Sequence, residues 1–169
     1  MKKIFFFLYF VFFLSLFNFA KCETNIAIID LNFIVNNSDR GKLIQNELNS
    51  INEKNVNTLK IREENIKQKE NEIKSKQNLL SENELNEKIK IYRKDINDFN
   101  SLKNELNSIF NEKKNELLND FFIQIGPIIQ EYMKNKSINI IIDKKNIYIV
   151  QTNYEITKEV LELINKNLK

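Results

Sequence analysis

Between Lys42 and Leu118 apolar residues recur at heptad spacing and are otherwise surrounded by charged and amide side chains. Leu85, Ile89, Tyr92, Ile96, Phe99, Leu106 and Phe110 follow one another at steps of 4, 3, 4, 3, 7 and 4, with Lys103 in the skipped slot. This is the seam of a coiled coil. Upstream, Leu59, Ile66, Ile73 and Leu80 recur every seventh residue, with Ile44, Leu48, Ile51 and Val56 nearer the start. Each stripe is too narrow for a helix to persist alone in water, so each predicts a partner. Ser81 followed three residues on by Glu84, just ahead of the second stripe, is a capping box. The sequence therefore predicts one helix ending near Leu80, a second beginning at Glu82, and an antiparallel hairpin between them. Residue numbers in facing layers should then sum to about 162, pairing Ile73 with Ile89, Ile66 with Ile96, Val56 with Leu106 and Ile44 with Leu118. The same register sets Gln77, Glu70 and Glu63 against Leu85, Tyr92 and Phe99, so alternate layers are half apolar and the arm is weakly zipped. At ~1.5 Å per residue, about 37 residues per side give an arm of roughly 55 Å.

The pattern changes on either side of the arm. Asn25-Ile-Ala-Ile-Ile-Asp30 is a short, β-branched apolar run with the character of a buried strand. Leu31 to Val35 reads equally as an extension of it or as a helical turn, and Asn36-Asn37-Ser38-Asp39 as a turn that starts a helix. Beyond Leu118 the returning helix turns strongly apolar through Phe121, Phe122, Ile123, Ile125, Ile128, Ile129 and Met133, so it should enter a core. Gly126-Pro127 inside it predicts a kink or a break. Ser137 to Asp143 and Asn146 to Val150 read as two strands joined in a hairpin. Tyr154 to Leu168 reads as an amphipathic helix with Ile156, Val160, Leu161 and Ile164 on its apolar side and Thr157 as N-cap. The fold class is α+β and mainly α, a helical arm projecting from a small β-containing body. The body spans 23–41 and 119–169, the arm 42–118. So thin a body buries little core by itself, and its exposed sheet edges predict association with copies of itself.

Composition changes this picture in three places. Lys2 and Lys3 precede an apolar run from Ile4 to Phe17, and Ala20-Lys21-Cys22 offers small residues at a cleavage site, so residues 1–22 read as a secretory signal peptide. Lys21 stands where lipoprotein processing prefers a small residue before the cysteine. Cys22 is the only cysteine, so the fold beyond it is built without disulfides. The chain has 26 Lys+Arg against 23 Asp+Glu, but Lys2, Lys3 and Lys21 leave with the signal, and the mature chain is neutral. Within Lys42 to Leu118, 15 basic and 14 acidic residues intersperse, a solvated surface rather than a phosphate-neutralising one, so no nucleic-acid partner is expected. Membrane contact gains no support from a neutral chain. The sequence has no histidine, which removes His-assisted nucleophiles and His-ligated metals, and two glycines, too few for a phosphate-cradling loop. Asp30 and Asp143 end apolar runs and read as strand-end residues. No catalytic, metal or cofactor site is expected, and the chain does not read as an enzyme.

The mature chain resembles the Skp (OmpH) family of periplasmic chaperones. The resemblance is carried by Asn25-Ile-Ala-Ile-Ile-Asp30 after the signal, the unbroken hairpin, Ile138-Asn-Ile-Ile-Ile-Asp143, Asn146-Ile-Tyr-Ile-Val150, and Glu155-Ile-Thr-Lys-Glu-Val-Leu161, similar to a family ending in which Asp stands where this chain has Glu155. It implies a homotrimer whose short strands build a shared barrel. It also implies three arms that enclose unfolded outer-membrane β-barrel proteins without ATP. Ile26, Ile28, Ile140, Ile142, Ile147 and Ile149 would then form the oligomer body. Client contact falls to apolar side chains along the arm: Leu59, Ile66, Ile73, Leu79, Leu85, Tyr92 and Phe99. The competing expectation is an exported coiled-coil scaffold or spacer of the envelope without a client cavity.

Overall fold

The structure, a computed structural model, describes residues 24–168; the secretory signal expected over 1–22 and Cys22 lie outside the described residues. The element order is β1 (Ile26–Ile29), α1 (Leu31–Asn37), α2 (Asp39–Lys76), α3 (Glu82–Asn135), β2 (Ile140–Asp143) and α4 (Thr157–Asn167), with single 3₁₀ turns at Lys144–Asn146 and Thr152–Tyr154. The two long helices form the hairpin, and the remaining elements gather at its base.

The base begins with β1, which has its last three residues buried. It pairs in parallel with β2, Ile26 opposite Ile140 through Ile29 opposite Asp143. A parallel pair needs a crossover, and here the whole helical arm serves as one. On its other side β1 meets the chain just ahead of α4: Ile28 and Glu155 form a parallel bridge, and the Ile156 amide donates to the Ile28 carbonyl at 2.9 Å. One sheet face, with Ala27 and Ile29, packs on Ile34, Ile44, Leu117, Phe121, Ile125, Ile156, Val160 and Ile164. Because side chains alternate along a strand, Ile26, Ile28, Ile140 and Ile142 share the other face.

Leu31–Asn37 is helical because Asp30 caps it: the carboxylate accepts from the Phe33 amide at 2.8 Å. Asp30 thus ends a strand and starts a helix in one residue. Ser38, fully buried, caps α2 by accepting from the Gly41 amide at 3.1 Å. Gly41 is required there, since a Cβ would lie 1.8 Å from the Val35 carbonyl oxygen. That contact sets the close approach of α1 to α2.

Two expectations give way in the base. Asn146–Val150 forms no strand, and so no hairpin with β2: Asp143 accepts from the Lys145 amide and caps a 3₁₀ turn, and the chain beyond pairs with no strand among the described residues. β-branched composition favours a strand only where a partner exists. Thr157 does not cap α4. It is the first helical residue, buried, and its hydroxyl accepts from the Asp30 amide at 2.9 Å while donating to Glu155 at 3.3 Å. Of the kink or break expected at Gly126-Pro127, the break does not occur, since α3 continues through Pro127 to Asn135.

Candidate functional site

The arm is α2 and α3 beyond the base. Its tip turns on Ser81, whose hydroxyl accepts from the Glu84 amide while the Glu84 carboxylate accepts from the Ser81 amide at 3.0 Å. The Ser81 hydroxyl also donates to the Glu84 carboxylate at 2.6 Å, and this bond first, then the one from the Ser81 amide, holds the Glu84 carboxyl below its usual range. Helix α2 stops at Lys76, four residues short of the expected Leu80, because reversal needs several non-helical residues. The Leu79 and Leu80 amides both fold back on the Lys76 carbonyl.

The register agrees with a reversal at Ser81. Glu70, Ile73, Ile89 and Tyr92 line one cleft between the helices. Lys69 reaches Asp95 at 2.5 Å and Lys113 reaches Glu47 at 4.0 Å, each across the pair. At the base, Leu117 rather than Leu118 joins Ile44 in the core.

Midway the seam departs from expectation. Its half-buried positions step through 51, 55 and 59 on α2 and through 102, 106 and 110 on α3. Two consecutive four-residue steps on each helix, at the same level, ease the winding of a strict heptad. The shift brings Asn55 and Leu102 into the interface and turns Val56 and Lys103 outward.

Leu59, Ile66, Ile73, Leu85, Tyr92 and Phe99 are all half-buried, between the two helices rather than on an open surface. Leu79, at the tip, is 83% exposed. Sequence reasoning placed Val56, which is open, in the seam, and it missed the open aliphatics Ile61, Ile91 and Ile109. Their signal was position outside the seam, where a polar residue is expected. Polar residues occupy the seam as well. The Lys69 ammonium bonds to Asp95 and holds its carboxyl below the ordinary range, with Arg62 adding to the attraction. Lys74 does the same to Glu70 at 2.6 Å, and Glu116 raises the Lys113 ammonium.

In the base, Ile28 is buried and Ile142 and Ile147 are half-buried. Ile26 and Ile140, paired in register, remain about as open as surface residues, at 40% and 45% exposed. Ile149 is 80% exposed and Tyr148 beside it 98%. Glu155 ties this region together, receiving Lys144 at 2.9 and 3.0 Å on its two oxygens, and its carboxyl is held low chiefly by that ammonium.

Among the described residues no group of Cys, Asp and Glu could hold a metal ion, and no helix is long and apolar enough to cross a membrane. A thin two-helix arm on a small sheet-bearing base, with open apolar residues at both, has the form of a binding scaffold. Residues 25–164 match the outer membrane protein (OmpH-like) family, and the chain belongs to it. The fold is similar to the crystal structure of an OmpH-like protein of Caulobacter crescentus CB15, described as a candidate outer membrane chaperone. Its TM-score is 0.75 at 13% identity, over 86% of each chain. No curated protein matches the chain.

Proposed function

We propose that this protein is an ATP-independent holding chaperone of the periplasm, in which three copies join through their bases and unfolded outer-membrane β-barrel proteins are held between the arms. Membership of the OmpH-like family over 25–164 is the observation that carries the reading. The similarity to the Caulobacter protein, a candidate outer membrane chaperone, points the same way.

The chemistry is consistent with it. In one chain the outward sheet face leaves Ile26 and Ile140 in water, β2 has an unpaired edge, and the extended residues after the 3₁₀ turn expose Tyr148 and Ile149. Copies of the same chain would cover all three, and a head-to-tail arrangement of such unlike surfaces closes into a ring. Ile147 and Ile149 would gain strand partners there. The arms offer many small apolar contacts. Leu79 is open at once, and Leu59, Ile66, Ile73, Leu85, Tyr92 and Phe99 become available as the seam loosens. Weak contacts on three arms add through local concentration, and preferential binding of the unfolded state slows aggregation by mass action.

The test is dilution of a urea-unfolded outer-membrane β-barrel protein into buffer with and without the mature chain. Turbidity should be suppressed at a one-trimer-to-one-client ratio. Turbidity equal to that of the buffer control would leave a spacer of the envelope as the reading. Native mass measurement should give three chains, and a monomer would remove the shared base.

A further inference from the structure

The charges of the arm, evenly mixed when counted along the chain, are sorted by side on α3. On one flank of the seam Glu84, Ile91, Asp98, Glu105 and Glu112 recur every seventh residue, with Leu102, Ile109 and Glu116 in the adjoining heptad series. On the opposite flank, Asn86, Arg93, Asn100, Asn107 and Lys114 recur every seventh residue, alongside Lys90, Asn97, Asn104 and Asn111. All nine are exposed, and none is acidic or apolar. Helical periodicity keeps heptad-spaced residues on one side, so the returning helix has an acidic, isoleucine-bearing flank and a basic, amide-bearing one.

Only the first flank combines charge with an apolar anchor. Ile91 and Ile109 are each 51% exposed. Between them Asp98 and Glu105 are exposed and lie in no ion pair among the described residues, whereas Asp95 is already bonded to Lys69 and Glu116 to Lys113. Lys88, half-buried toward the tip, is the single basic member of the two heptad series on that flank. The anchors are 18 residues apart on a helix, about 27 Å, which an extended chain at ~3.3 Å per residue crosses in about eight residues. Asp98 and Glu105 fall about 10 and 21 Å along that path, opposite the third and sixth residues of the extended chain.

We propose that this flank of α3 is a docking surface for extended polypeptide segments in which apolar residues about eight apart are separated by two basic ones, so that the arm selects cationic stretches of its unfolded clients. The proposal rests on the holding function above and adds a charge preference that the neutral mature chain as a whole does not have. Charge complementarity decides the occupant: an acidic segment would meet the carboxylates of Asp98 and Glu105, neither of them in an ion pair among the described residues, whereas Lys69 of α2 on this side is already bonded to Asp95. On the basic flank it would find no exposed apolar side chain to seat against.

The experiment uses the full mature protein and two fluorescein-labelled, unstructured peptides of about thirty residues, long enough to span several arms. One carries leucine every eighth residue with two lysines between, and its twin has glutamate for each lysine. The lysine peptide should bind about tenfold more tightly at low salt, with the difference closing at high salt. Asp98→Lys with Glu105→Lys should invert the preference, and Ile91→Asn with Ile109→Asn should weaken both peptides. Asn97→Lys with Asn104→Lys, the control on the other flank, should leave the order unchanged. All three variants lie outside the seam, and an unchanged helical circular dichroism signal checks their fold. Equal binding of the twins, tighter binding of the glutamate twin, or no response to the Asp98/Glu105 pair would overturn the proposal. If neither peptide binds while a β-barrel client is still kept soluble, the flank is wrong and the holding function stands. If the client also aggregates, both fall.

Discussion

The same two helices run through two very different environments. Where α3 crosses the base, Phe121 and Ile125 are out of water, enclosed with Ile29, Ile34, Val160 and Ile164 from three other elements. Thirty residues toward the tip the same helix faces only α2, its seam residues are half-buried, and Asp95 shares a layer with Ile66 and Ile96. Nothing about helix propensity separates the two stretches. The difference is how many elements can surround a side chain: two helices cover one stripe of each other, whereas helix, sheet and a further helix close over a residue from all sides. The base should therefore open as one unit and the arm by degrees.

The largest test of that contrast is Phe121→Ala. Removal of a fully buried ring should destabilise the base by about 4 kcal/mol. The urea midpoint should fall accordingly, and hydrogen exchange should quicken at the amides of β1 and β2 while those near the tip keep their rates. Uniform acceleration from strands to tip would mean that arm and base are one cooperative unit. Amides around Ile73 to Ile96 that exchange more slowly than those of the strands in the parent protein would reverse the comparison outright.

Thr157→Val comes next. Valine keeps the volume but leaves the Asp30 amide without its acceptor at 2.9 Å and removes the donor to Glu155. An unsatisfied buried amide costs about 2 kcal/mol, again confined to the base, and is read from the same denaturation curves. A loss of a few tenths would show that water reaches Asp30 in the folded state.

How much of this was legible in the sequence follows the same division. The arm was readable because its determinants are local: the Ser81–Glu84 cap and a seven-residue repeat locate a hairpin without reference to anything distant. What the repeat concealed was the mid-arm step that exchanges Lys103 for Leu102 and Val56 for Asn55, since either member of each pair satisfies the spacing to within one residue. In the base, local signals misled wherever the partner lay far along the chain. Asn146–Val150 has strand composition but no neighbouring strand within one chain, and Thr157 has the residue type of a cap but bonds to Asp30, 127 positions away. The flanks of α3 were hidden for another reason. A tally of 15 basic against 14 acidic residues averages over the two sides of a helix, and only the register separates them.

The smallest effect belongs to the interhelical pair. Asp95 is held below the usual carboxylate range by its hydrogen bond from Lys69, so the folded arm binds a proton there less readily than the unfolded chain. A depressed carboxyl contributes stability that is fully present above the unfolded value, about 3.9, and is lost as pH falls through the lower folded value. Asp95→Asn should therefore quicken exchange of amides 69–95 at neutral pH without moving the urea midpoint of the base. The difference between variant and parent should shrink as pH falls below the unfolded value and vanish once pH is below the folded one. Salt should erode it too, because Lys69 is half exposed and the pair is screened. A pH-independent difference would assign the effect to the packing of Asp95 beside Ile66, and the arm would then be zipped by shape alone.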